Sequence, residues 1–432
     1  MLVNREQEQV MEAARASFMS VDYQKSKEQY KEALRFFDKR GLNLRIRVIE
    51  HLGETLRIVE KRYGLDHIKT IEAHQHIGDI YFELKSYKKA EISYGIASRA
   101  FAKSYGPNHI EVARAYKGLG DVYFELKDYK NAETYYKKAR YICELESNFI
   151  GWAEALHKLG NVYYSLQRVK DAQKLYEEAL AIYQKHSPSS SVEIAKLLNN
   201  IGSVAHALKN YQGAKEIFES ILPILQEQYG RDHALTSTVL HNLGKVYYRL
   251  DNYQKAKEFH EQALTIMKGM PNSHRKRVEI ASILSNLGDT YYDCGNYKKA
   301  KKCYKEALSI KKLNGLEIAE TANDLGDTYS ALGNYQKAKG FFEEALEIKK
   351  ERYGVNSIEL DETLFNLYNT YDSLGDHQKA KKTLKELHAV RSKHYGPNHP
   401  TVLEILNMYN ASPNSSIEGP SIKKAAEHEM CR

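Results

Sequence analysis

The chain is poor in most of the residues and motifs that announce chemistry. Its four cysteines, Cys143, Cys294, Cys303 and Cys431, lie far apart or in non-matching positions, and no C-x-x-C pair occurs. That spacing excludes a thiolate zinc site of the usual kind and provides no disulfide framework, so free thiols in a reducing compartment are expected. Only 8 prolines occur among 432 residues, which leaves room for long helices. No apolar run approaches the ~18 residues of a membrane span. Met1 to Arg15 is polar and charged and lacks the apolar centre of a secretory signal. H-E-x-x-H, G-x-S-x-G, a phosphate loop and a dinucleotide fingerprint are all missing. No catalytic residue, cofactor or metal is therefore assigned. The expectation is a cytoplasmic protein that is not an enzyme and does not insert into membranes.

Charge excludes less. There are 64 basic and 56 acidic side chains, a net charge of +8. That is modest for the length, and a mixed solvated surface explains it better than a nucleic-acid or membrane partner. The strongest basic run, Lys298 to Lys312, falls on a helix whose outer face should be solvated. The 17 histidines are scattered. His67, His109, His233 and His399 recur in equivalent loops whole repeats apart, which suits capping rather than a shared metal.

Tyrosine is abundant, at 33 residues against a single tryptophan, and its placement is periodic. Ile77-Gly78-Asp79-Ile80-Tyr81 leads to Tyr87-Lys88-Lys89-Ala90, and Leu119-Gly120-Asp121-Val122-Tyr123 leads to Tyr129-Lys130-Asn131-Ala132. The phrase returns at Gly160, Gly202, Gly244, Gly288 and Gly326, and in degenerate form at Tyr368, in steps of 42, 40, 42, 42, 44, 38 and 42 residues. Within a unit, Val112, Tyr116, Leu119, Gly120 and Tyr123 form one apolar helical face, Lys127-Asp128 makes a turn, and Ala132, Tyr136 and Ala139 line a second helix. Such a period marks an all-α solenoid of stacked helix pairs, a scaffold with a long surface for binding.

The slots Gly120, Tyr123, Ala132, Tyr136 and Ala139, with their counterparts from Gly78 to Ala345, resemble the tetratricopeptide repeat. Departures are Ala205 and Ile221 in the Gly202 unit, His260 in the Gly244 unit, and Tyr368, Leu384 and Leu387 in the last. The long step and the loops Tyr63-Gly64-Leu65-Asp66-His67, Tyr105-Gly106-Pro107-Asn108-His109, Tyr229-Gly230-Arg231-Asp232-His233 and Tyr395-Gly396-Pro397-Asn398-His399 look like the kinesin light chain class of that repeat. In these loops the glycine permits a left-handed stop, and the Asn or Asp is expected to cap the next helix. Residues 1–64 are too short, and lack the heptad seam, for the long coiled coil of a kinesin light chain, so the likeness is to the repeats alone.

The resemblance implies a right-handed superhelical solenoid over 65–410, closed by a helix from Thr401 to Tyr409. Residues 1–64 are expected to form a helical cap or degenerate repeat. Glu6 to Met19 and Leu44 to Lys61 are its helices, either of which could be the odd one, and Tyr23, Tyr30 and Ala33 imitate another. Residues 411–432, with Pro413, Gly419 and Pro420, are expected to be a disordered tail.

The resemblance also implies that first helices line a concave groove, with the exposed stripe two, three and six residues before the small residue and one, four and five after it. Two before, the chain has Asn200, Asn242, Asn286 and Asn366, with Asp324 in the remaining late unit. In the family, Asn there binds ligand backbone, an amide offering donor and acceptor to any extended peptide. These side chains are expected to be exposed. Early units project Asp79, Glu83, Asp121 and Glu125; the middle offers Lys196, His206, His241, Lys245, Tyr248 and Arg249; later units return to Asp289, Asp293 and Asp327. The central groove should favour acidic segments, and its flanks basic ones. A chaperone-tail carboxylate clamp does not fit, because the window His157, Asn161, Asn200, Thr238, Asn242 lacks two of its cations. The expected function is an adaptor binding peptide segments of protein partners. Alternatives are a ligand- or peptide-sensing regulatory repeat and a nucleic-acid-binding helical repeat.

Overall fold

The computed structural model describes residues 2–20, 25, 26, 28, 29, 43–188, 191–271 and 273–411, and every regular element among them is a helix. They fall into two compact units, Met1–Arg231 and Asp232–Arg432. In the first unit, helices Leu2–Met19 and Asn43–Tyr63 precede the hairpins Ile68–Glu83 with Tyr87–Tyr105, Ile110–Glu125 with Tyr129–Leu145, Phe149–Ser165 with Val169–His186, and Ser191–Ala207 with Tyr211–Tyr229. The second unit contains Ala234–Arg249 with Tyr253–Gly269, His274–Asp293 with Tyr297–Leu313, Ala319–Ala331 with Tyr335–Tyr353, and Asp361–Ser373 with His377–Tyr395, followed by Pro400–Ala411.

A hairpin forms because its second helix lays an aromatic ring on the backbone of its first. A Cβ on Gly120 would meet Tyr136 Cε1 at 2.5 Å, and one on Gly326 would meet Phe342 Cε1 at the same distance. Gly78, Gly160, Gly202, Gly244 and Gly288 stand against Tyr94, Tyr176, Phe218, His260 and Tyr304 in the same way. The ring is always sixteen residues beyond the glycine. The alanine that opens the second helix is sealed beside it, with Ala90, Ala132, Ala172, Ala214, Ala256, Ala300 and Ala338 all 0% exposed.

The turn within each hairpin needs one residue with positive φ, seven after the small residue. Lys85, Lys127, Gln167, Lys209 and Asp251 adopt it at 54–63° in the earlier repeats, and Gly295, Gly333 and Gly375 at 72–73° in the later ones. The next residue caps the second helix where it is Asp or Asn: Asp128 accepts from the Asn131 N–H, Asn252 from Lys255 and Asn334 from Lys337, whereas Ser86 and Arg168 make no such bond. Between repeats, the glycines of the Tyr-Gly loops take φ of 86–95°. The cap there is the histidine, not the Asn or Asp before it. Nδ1 of His67, His109 and His233 accepts from the N–H of Lys69, Glu111 and Leu235 at 3.2–3.3 Å. The preceding tyrosine packs on the imidazole, with ring centroids 5.2 Å apart for Tyr63–His67 and 4.5 Å for Tyr105–His109.

At the N-terminus both candidate helices enter one core. Met11, Ala14 and Phe18 pack with Val48, Leu52 and Val59 and with Ala73 and Ile77 of the first hairpin. Ser26 Oγ donates to the Ala14 carbonyl at 2.8 Å, which places helical residues 25 and 26 beside the first helix. Tyr23, Tyr30 and Ala33, and the expected tail beyond Ala411, lie outside the described residues. Val402, Ile405 and Leu406 of Pro400–Ala411 are buried, and this helix packs on His377–Tyr395.

Three outcomes test this packing and its turns. Gly326→Ala should cost about 1–3 kcal/mol in chemical denaturation, because Phe342 is fully buried and cannot retreat. Gly340→Ala, also mid-helix but with nothing within 4 Å of its added Cβ, should instead gain about 0.5–1 kcal/mol. Lys127→Gly should stabilise by roughly 0.5–1 kcal/mol by relieving the left-handed backbone, an effect absent at a helical lysine such as Lys130.

Candidate functional site

The first helices of successive hairpins lie side by side within each unit. On the face they form, polar side chains join neighbouring repeats in a regular pattern. The residue after the small residue is the node. In the first unit Tyr94 Oη donates to Asp79 at 2.8 Å, Tyr136 Oη to Asp121 at 2.6 Å and Tyr176 Oη to Asn161 at 2.7 Å. In the second, Tyr304 Oη donates to Asp289 at 2.7 Å. Each ring that lies on a glycine thus delivers its hydroxyl to the neighbour of that glycine.

The second partner of the node comes from the following repeat. Lys158 Nζ lies 2.8 Å from Asp121, and Arg114 stands 3.7 Å from Asp79. Asn200 Nδ2 donates to Asn161 Oδ1 at 2.9 Å and also meets His157 Nε2 at 2.8 Å. Asn286 Nδ2 meets His241 Nε2 at 2.8 Å, and Asn366 Nδ2 donates to Asp327 at 2.8 Å. The asparagines expected to be exposed for a ligand are therefore not free. Asn200, Asn286 and Asn366 are half-buried and spend their N–H groups on the preceding repeat, and Asn242 is only 8% exposed. The reason is geometric. Two residues before the small residue, a side chain points along the helix row toward its neighbour, where an unmet polar atom would otherwise remain.

The remaining predicted residues sort by unit. Lys196 lies 4.0 Å from Glu193, and His206 packs edge-on against Tyr211 with centroids 5.3 Å apart, both in the first unit. His241, Asn242, Lys245, Tyr248, Arg249, Asn286 and Asn366 belong to the second. Here the node is Lys245, not a carboxylate, and the ring on Gly244 is His260, not a tyrosine. Burial lowers the Lys245 ammonium to about 8. The His260 ring is fully buried, and burial, with a smaller effect of Lys245, pushes it down to about 3. Neutral His241 packs edge-on against it at 5.2 Å. One turn further, Arg249 is exposed and its guanidinium stands 5.8 Å from the Tyr248 ring. Tyr248 Oη donates to Asp293 at 2.5 Å.

Sequence reasoning missed the hydroxyl-to-node bonds, although the repeats carry their signal. Where the ring residue is Tyr, the node is Asp79, Asp121, Asn161 or Asp289; where it is Phe218 or His260, the node is Ser203 or Lys245. Asp327 opposite Phe342 is the departure, and it accepts from Asn323 and Asn366 instead.

Among the described residues no three His, Cys, Asp or Glu side chains are grouped to hold a metal ion, and no helix is long and apolar enough to cross a membrane. Models of the tetratricopeptide repeat match residues 81–144, 193–269 and 279–351, and a second such model matches 152–190, together more than half of the chain. No curated protein matches. Among solved structures, the apo form of RapI is 18% identical with a TM-score of 0.51, covering 66% of this chain and 98% of its own. BtubC (BKLC) from P. vanneervenii is 22% identical with a TM-score of 0.46, over 54% and 93%. TPR-like repeats assigned to a kinesin light chain of Podosopora anserina are 18% identical with a TM-score of 0.40, over 46% and 95%.

The buried histidine has a pH signature. Its folded pKa lies below the ordinary 6.5, so the unfolded chain binds the extra proton. Stability from this site is complete above about pH 6.5 and is lost as pH falls toward 3. Replacing it by phenylalanine, the residue at 218 and 342, should abolish roughly 2 kcal/mol of the loss between pH 7 and pH 5. Urea midpoints of wild type and His260→Phe at the two pH values check this; identical pH dependence would refute it.

Proposed function

Since the chain belongs to the tetratricopeptide repeat family, with repeats of the long kinesin light chain-like kind, we propose that it is a non-enzymatic scaffold that binds peptide segments of partner proteins along its first helices. The Gly244 repeat is the part of that face to which we assign acidic segments. One observation carries the assignment. Lys245 and Arg249 stand one helical turn apart on the same helix, and neither has a carboxylate within ion-pair distance among the described residues. The groups against Lys245 are neutral imidazoles, and burial lowers its pKa. An acidic side chain placed there would supply the missing carboxylate. Cations already paired within the chain, such as Lys158 with Asp121, would gain nothing from one.

The asparagine slots enter this reading in a changed role. They hold neighbouring first helices in register, and a ligand that used Asn200 or Asn286 would have to displace a bond to His157 or His241. Tyr248, half-buried beside exposed Arg249 and tied to Asp293, supplies an aromatic wall for the segment. A cytoplasmic location is part of the proposal and rests on the reduced thiols Cys143, Cys294 and Cys303.

The test is capture of partners from a lysate with wild-type protein, then titration of a captured acidic segment against Lys245→Gln with Arg249→Gln. Loss of two charge-assisted contacts should weaken binding at least ~100-fold, at ~1.5–3 kcal/mol per contact. Folding should be unharmed, since Lys245→Gln removes a charge that is poorly placed in the folded state. Unchanged affinity in the folded double variant would remove this face as the acidic-segment site.

A further inference from the structure

Between the Gly288 and Gly326 repeats the described residues show no second donor to the carboxyl node Asp289. At this slot neighbouring rungs use Lys158, Asn200, Asn286 or Asn366 to donate to the preceding repeat. Here the slot holds Asp324, which brings a second carboxylate toward Asp289. The Asp324 carboxylate has no hydrogen bond and no ion pair among the described residues. Its pKa is raised well above the usual range by burial and by the charges of Asp289 and Asp327. Among the described residues Asp289 itself accepts from Tyr304 alone.

These carboxylates open into a pocket of about 530 Å³ within the second unit, to which Glu320, Glu359 and Glu362 also contribute. A cluster of acids alone would be a solvated surface. Two orphaned polar atoms, an amide oxygen that can only accept and a hydroxyl that can accept or donate, show that this one is shaped for a polar group. Asn323 is 4% exposed and lines the pocket; its Nδ2 is committed to Asp327, and its Oδ1 has no hydrogen-bond partner. Ser285 Oγ, on the opposite helix, is buried and equally unpartnered. The two lysines on the rim point an N–H elsewhere, Lys311 Nζ to Thr321 and Lys349 Nζ to Thr363; Lys311 partly offsets Asp289 and Asp324 through its charge but pairs with neither among the described residues. Asp361 is already held by both arms of Arg391, at 2.6 and 3.0 Å. What remains is an excess of carboxylates and amide and hydroxyl oxygens that match N–H groups carried by a positive charge.

We propose that this pocket receives the ammonium or guanidinium group of a lysine or arginine from a basic protein segment, with Asp289 and Asp324 on its charge and Asn323 Oδ1 and Ser285 Oγ taking its N–H donors. The proposal rests on the reading that partner segments lie along the first helices. It adds an opposite charge preference one repeat beyond Lys245 and Arg249, so the second unit would select a segment that is acidic at one end and basic at the other.

The experiment uses the full chain and two fluorescein-labelled octapeptides, alternating Lys-Ala and alternating Gln-Ala, read by fluorescence anisotropy. The lysine peptide should bind at least ~10-fold more tightly than the glutamine one. Asp324→Asn should remove that preference while raising the thermal midpoint, because it restores the amide donor that Asn286 and Asn366 provide in neighbouring rungs. Glu347→Gln removes the same charge from an exposed second-helix position and should change affinity less than about twofold. Equal losses from Asp324→Asn and Glu347→Gln would overturn the pocket in favour of general attraction. Spermine or calcium binding more tightly than the lysine peptide, in an Asp324-dependent way, would overturn the protein segment in favour of a free cation. Should Asp324→Asn have no effect while the Lys245 and Arg249 variant still loses its acidic segment, only this inference fails. Partner capture untouched by either variant would remove the underlying reading.

Discussion

An aromatic ring lying flat on a glycine backbone is the contact on which everything else in the chain depends. It brings the two helices of a hairpin closer than any Cβ would allow, and Gly120 against Tyr136 or Gly326 against Phe342 leaves no room for a methyl group. Close approach seals the neighbouring alanines completely and fixes the rotation of one helix about the other. Where the ring is a tyrosine, that rotation delivers its hydroxyl to the residue after the glycine. A packing contact thereby sets the position of a polar group on the face available for binding.

The polar rungs follow from that placement. Each node must satisfy its remaining lone pairs or proton, and the following repeat answers with a lysine, an arginine or an asparagine. Such bonds tie repeats in register and remove those side chains from the pool available to ligands. The rungs that break the rule are the informative ones. At Lys245 the node is an amine walled by neutral imidazoles, and at Asp324 the donor slot is a carboxyl group facing another carboxyl group. Neither Lys245 nor Asp324 has an ion pair among the described residues, and they lie in the same unit one repeat apart. The charge preferences proposed above arise from these two exceptions, not from the regular ladder.

Much of this was legible in the repeat. The phrase from Ile77 to Ala90 identified a helix pair, its turn and its inner face, and the Tyr-Gly loops located the breaks between pairs. The N-terminal stretch was less legible because its helices keep the apolar spacing of Met11, Ala14 and Phe18 without the glycine and tyrosine markers. The repeat left both the loop histidine and the Asn or Asp before it as caps, since either can cap a helix. The histidine takes the role because the tyrosine on which it packs holds its ring toward the N–H groups.

The sequence by itself determined the helical hairpins, their number and phase, and which residues share the face of the first helices, because helical periodicity is a local property that one chain reveals at every turn. It did not determine which side chains on that face are free. Asn200 and Lys245 occupy similar stripes on paper, yet one is bonded to the preceding repeat and the other stands without an anion. That difference depends on the separation and rotation of successive first helices, which the ring-on-glycine contacts set through residues sixteen positions away. Only the tertiary structure joins Tyr304, Asp289 and Asp324 in one place, and only there does a missing donor become visible.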